Sequence, residues 1–525
     1  MDLLIPFDGQ REPLYRQIYE RLRGSILSGQ LEGGKRLPSS RDLADQLDVS
    51  RNVVMLAYEQ LEAEGYVEGR SGSGTYVSAG LAGRRDTTAR GHACIELSRF
   101  GAFATARGHA CIELSRFGAF AATQGAQFNF PQRGTHGLRY DFAYGQSDLD
   151  SFPFEMWRRM LMRHVGNPSK ALDYGPPAGS RRLREAVCAH VSRSRGVVCD
   201  SSQVLIVGGS QQALDLVTRV LLERGDEVAI EEPAYQGTRE ALKAAGAHLH
   251  AVPVDNAGLM TDQLPQSARA AFVSPSHQFP TGAILSLPRR RALLDWAART
   301  NAVIIEDDYD GEFRYEQQRL ESLQGLDSDG RVIYIGTFSR TIFPALRLGY
   351  LVLPAGLVGA FSAAKWLCDR HTASLEQEAL ADLILSGLYE RHLRRVRRRN
   401  DTARAALLDA VHEYLGDRVT VTGDGAGAHV VLWFEHGASE KEVIAAAAAR
   451  GVRIYGISPY FADREPQAGI LLGYARLSET DIRGGIRQLG AAMTAAHNHR
   501  LEDRAKKNSG PDGPLRECPE DQDRS

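Results

Sequence analysis

The chain contains no run of about 18 apolar residues, which leaves no candidate membrane-spanning helix. Its start, Met1 to Gln10, holds neither the basic nor the apolar region of a signal peptide, so a soluble, cytoplasmic protein is expected. Cysteine is scarce. The six residues Cys94, Cys111, Cys188, Cys199, Cys368 and Cys518 are scattered, with no CxxC pair and no metal-ligand spacing. That pattern suits reduced thiols and argues against a disulfide framework or a local metal motif. Nor is one charge in excess: 63 Lys and Arg face 65 Asp and Glu, so any attraction to a polyanion or a membrane surface has to be local. What is present is bulk. With 43% hydrophobic residues over 525 positions, the chain exceeds a single core, which stops growing at about 250–300 residues, and at least two folded units are expected.

Over residues 13–28, Leu14, Ile18, Leu22 and Ile26 recur every four positions and predict an amphipathic helix with proline near its first turn, ended by Gly29, Gly33 and Gly34. After Pro38, the pair Ser39-Ser40 caps a short helix carrying Leu43 and Leu47. Ser50 caps another, whose Val53 or Val54, Ala57 and Leu61 face inward. Residues 65–70, the turn Ser71-Gly72-Ser73-Gly74 and Thr75-Tyr76-Val77 read as a hairpin. Residues 1–78 are thus a unit of three helices and a small hairpin. Over 79–135 the pattern weakens, and TARGHACIELSRFGAFA at 88–104 recurs letter for letter at 105–121. Two copies are too few to bury a repeat core, so the stretch reads as a lengthened linker. From 136 to 498, β-branched runs at 204–207, 227–230, 248–254, 271–274, 303–306, 332–336 and 348–353 alternate with helical stretches. They predict a large, mainly parallel α/β sheet, followed from about Ala379 by a smaller α+β lobe. Residues 499–525 are polar and charged and are expected to form a disordered tail.

Helix, two-helix turn and hairpin wing is a geometry that sends a short helix into the major groove while the wing follows the backbone. The letters LPSSRDLADQLDVSRNVV and AYEQLEAEGYVEGRSGSGTYV resemble the GntR winged helix-turn-helix family over residues 11–78. The resemblance implies that Ser40 and Arg41 hold phosphates, that Ser50, Arg51 and Asn52 open the recognition helix, and that Arg70 and Gly72 serve the wing. Those residue types suit the task, since Arg and Asn read guanine and adenine edges while Ser and helix N-termini hold phosphates. Charge alone would not predict it: residues 1–78 carry nine Lys/Arg against twelve Asp/Glu. The acids Asp42, Asp45, Glu59, Glu62 and Glu64 fall on outer helix faces, whereas Lys35, Arg36, Arg41, Arg51 and Arg70 fall at the turns.

In the larger unit, Gly208-Gly209-Ser210-Gln211 follows a strand and opens a helix, a place for a phosphate. Together with Glu232-Pro233-Ala234-Tyr235, Pro275 to Gly282, Asp307, Tyr309, Thr337 and Arg347, it resembles the fold-type I, aminotransferase-like domain of the MocR regulators over about 136–498. The resemblance implies pyridoxal phosphate. Asp307 would pair with the pyridinium nitrogen, Tyr309 would donate to the phenolic oxygen, with His277 or Gln278 near that oxygen, and Tyr235 would lie on the ring face. Thr337, Arg347 and the amides of Ser210 and Gln211 would take the phosphate. At Arg340, in Gly336-Thr337-Phe338-Ser339-Arg340-Thr341, the family carries the lysine that forms a Schiff base. A guanidinium with a pKa of about 12.5–13.8 stays charged and can do neither that nor shuttle a proton. The expectation is a non-enzymatic, homodimeric regulator of a double-stranded DNA operator, with non-covalent pyridoxal phosphate and a small amino-compound effector. A pyridoxal-phosphate-dependent aminotransferase and a ligand-independent DNA-bound scaffold remain open readings. The six arginines within Arg391 to Arg399, with Leu393 and Val396 interleaved, read as a mostly solvated helix; Arg453 and Arg476 are available for an effector carboxylate.

Overall fold

The computed structural model describes residues 13–70, 72–79, 94–98, 101–105, 112–124, 138–149, 151–166, 173–315, 320–435, 439–462 and 467–508. The chain divides into two compact units, one ending at Ala119 and the other beginning at Phe120.

The first unit packs the helices Leu14–Leu27, Ser40–Leu47 and Arg51–Ala63 around one core, closed by the hairpin Val67–Arg70 and Gly74–Val77. Ile18, Leu22 and Ile26 are buried as their spacing predicts, but Leu14, expected to face inward, is 40% exposed at the frayed start of its helix. Ser39 caps the second helix, accepting from the Asp42 amide at 3.1 Å. Ser50 holds the N-cap position of the third without a side-chain cap bond, and of the two valines it is Val54 that is fully buried. Asp48, in the left-handed region at φ 51°, turns the chain between these two helices. In the hairpin Val67 faces Val77 and Arg70 faces Gly74; Ser71 lies outside the described residues.

In the stretch expected to be linker, the described residues form the strands Cys94–Ser98, Gly101–Thr105 and Ile112–Glu113 and the helix Arg116–Gln124. The rest of the stretch lies outside the described residues. The same letters, GAFA, are therefore strand in the first copy and helix in the second. Weak local preference leaves the choice to surroundings.

All seven expected strands of the second unit lie in one eight-stranded sheet. Its order is Gly258–Leu259, His248–Asp255, Glu227–Glu232, Ala270–Val273, Val303–Asp308, Val332–Thr337, Gly349–Val352 and Val204–Val207. Five neighbours run parallel; Gly349–Val352 runs antiparallel to both of its partners. Ala270–Val273, Val204–Val207 and Gly349–Val352 are buried along their whole length, as sheets covered on both faces require. The carboxyl ends of the parallel strands, at Glu232, Val273, Asp308 and Thr337, share one edge, the usual place for a ligand in open α/β sheets.

A second, antiparallel sheet of Val419–Thr422, His429–Phe434, Gly469–Gly473 and Tyr455–Gly456 packs against the helices Leu388–Tyr414, Glu440–Ala448 and Glu479–Asn508. Its limits differ from the expected ones. The helix Ser374–Leu385 buries Ala379, Leu380, Ala381 and Leu383 in the core of the large sheet, while Tyr140 and Phe142, far upstream, complete the core of the smaller lobe. The last helix continues to Asn508, past the expected start of the tail, of which residues 509–525 lie outside the described residues. The arginine-rich run sits on the helix Leu388–Tyr414 with Leu393 and Val396 buried. Arg391, Arg394, Arg395 and Arg398 are exposed, as expected, while Arg397 pairs with Glu312 at 2.7 Å and Arg399 pairs with Asp148.

Candidate functional site

Strand alternation sorts three consecutive acids at the end of Val303–Asp308. Glu306 points to one face and accepts the Leu323 and Gln324 amides at 2.9 and 2.8 Å, holding a short helix. Asp308, on the same face, binds the Arg195 guanidinium at 2.7 Å and the Tyr334 hydroxyl at 2.5 Å. Asp307 points the other way, into the cleft. Its Oδ1 is buried and accepts no hydrogen bond among the described residues. Burial, reinforced by neighbouring Asp308 and opposed by Arg340, pushes its carboxyl up to about 7. A small cavity beside it is lined by Glu231, Tyr235, Thr238, Ser274 and Asp307. Glu231 is buried there and raised to about 8, although it accepts from the Ser274 amide at 3.2 Å and from Gln278 at 3.3 Å.

A second feature closes the same edge of the sheet. Gly209 caps the helix Ser210–Leu221 at φ 93°, and a Cβ on it would lie 3.0 Å from an Arg347 nitrogen. Arg347 donates to the Gly208 carbonyl at 2.8 Å, so its guanidinium stands beside the free amides at the start of that helix. Gly349, paired with Thr337, lies so close that a Cβ would meet Gly209 at 3.1 Å. Ser210, Gln211, Thr337 and Arg347 therefore surround one turn, an anion cradle of helix dipole plus fixed charge. Gln211 reaches toward the Gly237 carbonyl at 3.5 Å, beside the Tyr235 ring. Asp307, Arg340 and Arg347 all act electrostatically on the Tyr235 hydroxyl, which joins the cradle to the acid.

Arg340 follows the strand Val332–Thr337, and its guanidinium lies 5.6 Å from the centre of the Tyr309 ring. Tyr309 bonds His277 Nδ1 at 3.1 Å, so His277 stands behind the tyrosine. A loop unmarked in the sequence completes the wall. Tyr144 packs edge-on against Tyr455 and Tyr460, Gly145 abuts the Arg340 guanidinium, and Ser147 donates to the Ser339 and Arg340 carbonyls at 2.8 and 3.0 Å. Gln146 in that loop accepts from Arg476, which brings Arg476 to the same wall. Arg453 is instead held by Asp141 and stacked on Tyr455. Glu231 had a signal in the sequence, an acid inside an apolar strand; the Tyr144–Ser147 loop had none.

In the first unit the expected helix residues share one region. Arg51 donates to Ser40 Oγ at 3.2 Å, tying together the starts of the helices Ser40–Leu47 and Arg51–Ala63. Arg41, Ser50, Arg51 and Asn52 are exposed there. Arg70 pairs with Glu68 at 2.6 Å and stacks on Tyr76 at 4.6 Å, and Gly72 turns the hairpin at φ 73°.

Residues 14–77 match the bacterial regulatory proteins of the gntR family, and residues 140–466 match aminotransferase class I and II. The probable rhizopine catabolism regulatory protein MocR of Rhizobium meliloti is 36% identical over 488 residues, 92% of this chain and 94% of that protein. The chain belongs to the MocR-type family of regulators. A second member, the HTH-type transcriptional regulator TauR of Rhodobacter capsulatus, is 32% identical over 92% of this chain and 97% of its own length. Among solved structures, the α-aminoadipate aminotransferase LysN of Thermus thermophilus, complexed with N-(5'-phosphopyridoxyl)-L-leucine, is 31% identical. It covers 69% of this chain and 94% of its own, with a TM-score of 0.64. The described residues include no helix long and apolar enough to cross a membrane.

Proposed function

We propose that this MocR-type regulator holds pyridoxal phosphate non-covalently in the cleft between Tyr235, Asp307 and Arg347 and responds there to a small amino compound. The observation that carries the reading is the buried, unpartnered Oδ1 of Asp307 on the same sheet edge as the Gly209–Arg347 cradle. A protonated ring nitrogen would supply the donor that Asp307 lacks, and a phosphate would fill a turn that a Cβ would block. When bound, the cofactor supplies an aldehyde reactive toward amines and an electron-withdrawing ring. Tyr309 would hold the phenolic oxygen, positioned by His277, while Ser210, Gln211 and Thr337 would support the phosphate.

Arg340 stands at the position of the family's reactive lysine and offers no neutral amine, so the chain itself makes no covalent link and acts as a regulator, not a transaminase. Its guanidinium, on the Tyr309 face, takes an anionic group of the ligand instead. A preformed adduct of cofactor and amino acid, the kind of molecule held by LysN, meets every one of these contacts without a lysine. Ser40, Arg41, Ser50, Arg51, Asn52, Arg70 and Gly72 face the operator, with Arg51 and Asn52 at the start of the recognition helix. A homodimer reading two half-sites fits this arrangement.

The test is an absorbance titration with pyridoxal phosphate, followed by borohydride, on the chain and on Arg340→Lys. The chain is expected to bind saturably and carry no reduced cofactor after denaturation. Arg340→Lys should retain one per chain and bind about tenfold tighter or more. A reduced link in the unaltered chain, or no binding by either, overturns the reading.

A further inference from the structure

Three buried side chains behind Tyr309 converge, with a ligand atom of each within 4.8 Å of the others. Asp310 Oδ2 lies 3.5 Å from His277 Nδ1 and 3.9 Å from His429 Nδ1, and the three side chains are 1–2% exposed. Neither oxygen of Asp310 accepts a hydrogen bond among the described residues. The outer nitrogens of both rings face backbone carbonyls: His429 Nε2 lies 3.2 Å from Pro280 O, and His277 Nε2 lies 3.4 Å from Gly423 O. A carbonyl accepts only, so these contacts favour the tautomer with the proton on Nε2, in which Nδ1 is the ring atom available as a ligand. The Tyr309 hydroxyl lies 3.1 Å from His277 Nδ1, a contact that an ion on that nitrogen would replace. Two imidazole Nδ1 atoms and a buried carboxylate therefore meet in the interior, and a buried carboxylate costs free energy unless a positive charge lies beside it.

We propose that His277, Asp310 and His429 form a binding site for a first-row divalent transition ion, through Nδ1, Oδ2 and Nδ1. Two imidazoles and one carboxylate are the ligand set of Zn2+ and Fe2+ sites. Ligand atoms around a tetrahedral ion with bonds of about 2.0–2.1 Å stand about 3.4 Å apart, close to the 3.5 Å from Asp310 to His277 and shorter than the 3.9 Å to His429, which a small closure of the lobes would supply. The backbone carbonyls on the two Nε2 groups are the outer contacts that orient metal-binding histidines. Space is reserved as well: a Cβ on Gly427, at φ 76°, would lie 2.3 Å from His277 Cε1 and 2.6 Å from Asp310 Oδ2. Arg340, which acts on Asp310 and His429, is the opposing charge.

The ligands come from two lobes. His277 and Asp310 belong to loops at the edge of the large sheet, and His429 begins a strand of the smaller one. An ion here pins the lobes together and, by taking His277 Nδ1, releases the Tyr309 hydroxyl from that nitrogen. The site shares His277 with the cofactor reading but requires neither the Asp307 carboxylate nor the Gly209 cradle.

The test uses the full chain, stripped with a chelator and titrated with Co2+ and then Zn2+ alone. One Co2+ per chain with visible ligand-field bands, displaced by Zn2+, is expected. Asp310→Asn and His429→Asn should each weaken binding by about a hundredfold or more. His250→Ala, which removes a half-exposed histidine on the large sheet, should leave the bands unchanged. Bands that survive both ligand substitutions, or less than one tight ion per chain, overturn the proposal. Should the variants not fold, anomalous scattering at the metal edge from crystals of the unaltered chain decides it. A peak among the three side chains supports the site, and a peak elsewhere or none overturns it.

Discussion

Asp307 illustrates how a single buried carboxyl without a hydrogen-bond donor on Oδ1 weighs on the stability of the chain. Its carboxyl is raised in the fold from an ordinary 3.8 to about 7, so the unfolded chain ionises first. Stability from this group is therefore lost as pH rises from about 4 and is fully lost above about 7. Asp307→Asn removes that penalty. At pH 8 the ligand-free variant should be more stable by on the order of 2 kcal/mol, and at pH 4 equal to the parent. The same change should abolish tight pyridoxal-phosphate binding, because an amide is a poor partner for a ring N–H. Urea unfolding at the two pH values, with and without cofactor, checks both halves. A variant less stable at pH 8 would remove the case for a poised acid. At this scale the sequence was legible where position along a strand decides direction, as for Asp307 between Glu306 and Asp308. It was silent for Asp310 and His429, whose meeting depends on two lobes closing.

At the scale of elements, the seven strands were readable because continuous β-branched runs belong in a sheet covered on both faces, and Val204–Val207 and Ala270–Val273 are buried throughout. The helix Ser374–Leu385 was assigned to the wrong lobe because a helix apolar on most sides shows no preference between two cores. The duplicated letters show the limit: GAFA is strand at 101–104 and helix at 118–121. The helix Ser210–Leu221 is the element on which the cradle rests, and Gly209 is its weak point. Gly209→Ala places a methyl against the Arg347 guanidinium and forces alanine to a φ near 93°. It should cost about 1–2 kcal/mol of stability and weaken pyridoxal phosphate at least tenfold. Inorganic phosphate as a competitor should lose its effect in parallel. A variant that binds cofactor as the parent does would move the phosphate elsewhere.

Across the molecule, one buried cluster adds a pH dependence of stability at the alkaline end, and the proposed function rests on one coupling. His190 lies between Glu312 at 2.7 Å and Glu390 at 3.0 Å, joining the helix Arg181–Arg195 to the helix Leu388–Tyr414. Burial alone would lower it, but the two carboxylates hold it at about 9, so its contribution is complete below about 6.5 and disappears as pH rises through 9. Thermal melts between pH 6.5 and 9.5 should fall more steeply for the parent than for His190→Gln. The coupling concerns DNA. A regulator differs from a scaffold only if the ligand binds two states of the chain unequally, and linkage then requires operator and ligand to change each other's affinity by one factor. For an operator duplex selected from random sequence, adding pyridoxal phosphate with a suitable amine should change affinity by about 5–150-fold at fixed salt. Arg51→Ala should weaken operator binding by about 1–3 kcal/mol and leave that factor unchanged, since it removes a base contact common to both states. Asp307→Asn should do the reverse: the ligand-free affinity stays, and the factor falls to one. Anisotropy titrations of the three proteins, each with and without ligand, separate the outcomes. An operator affinity indifferent to ligand in the parent would make the aminotransferase-like domain a scaffold, however well it binds its cofactor.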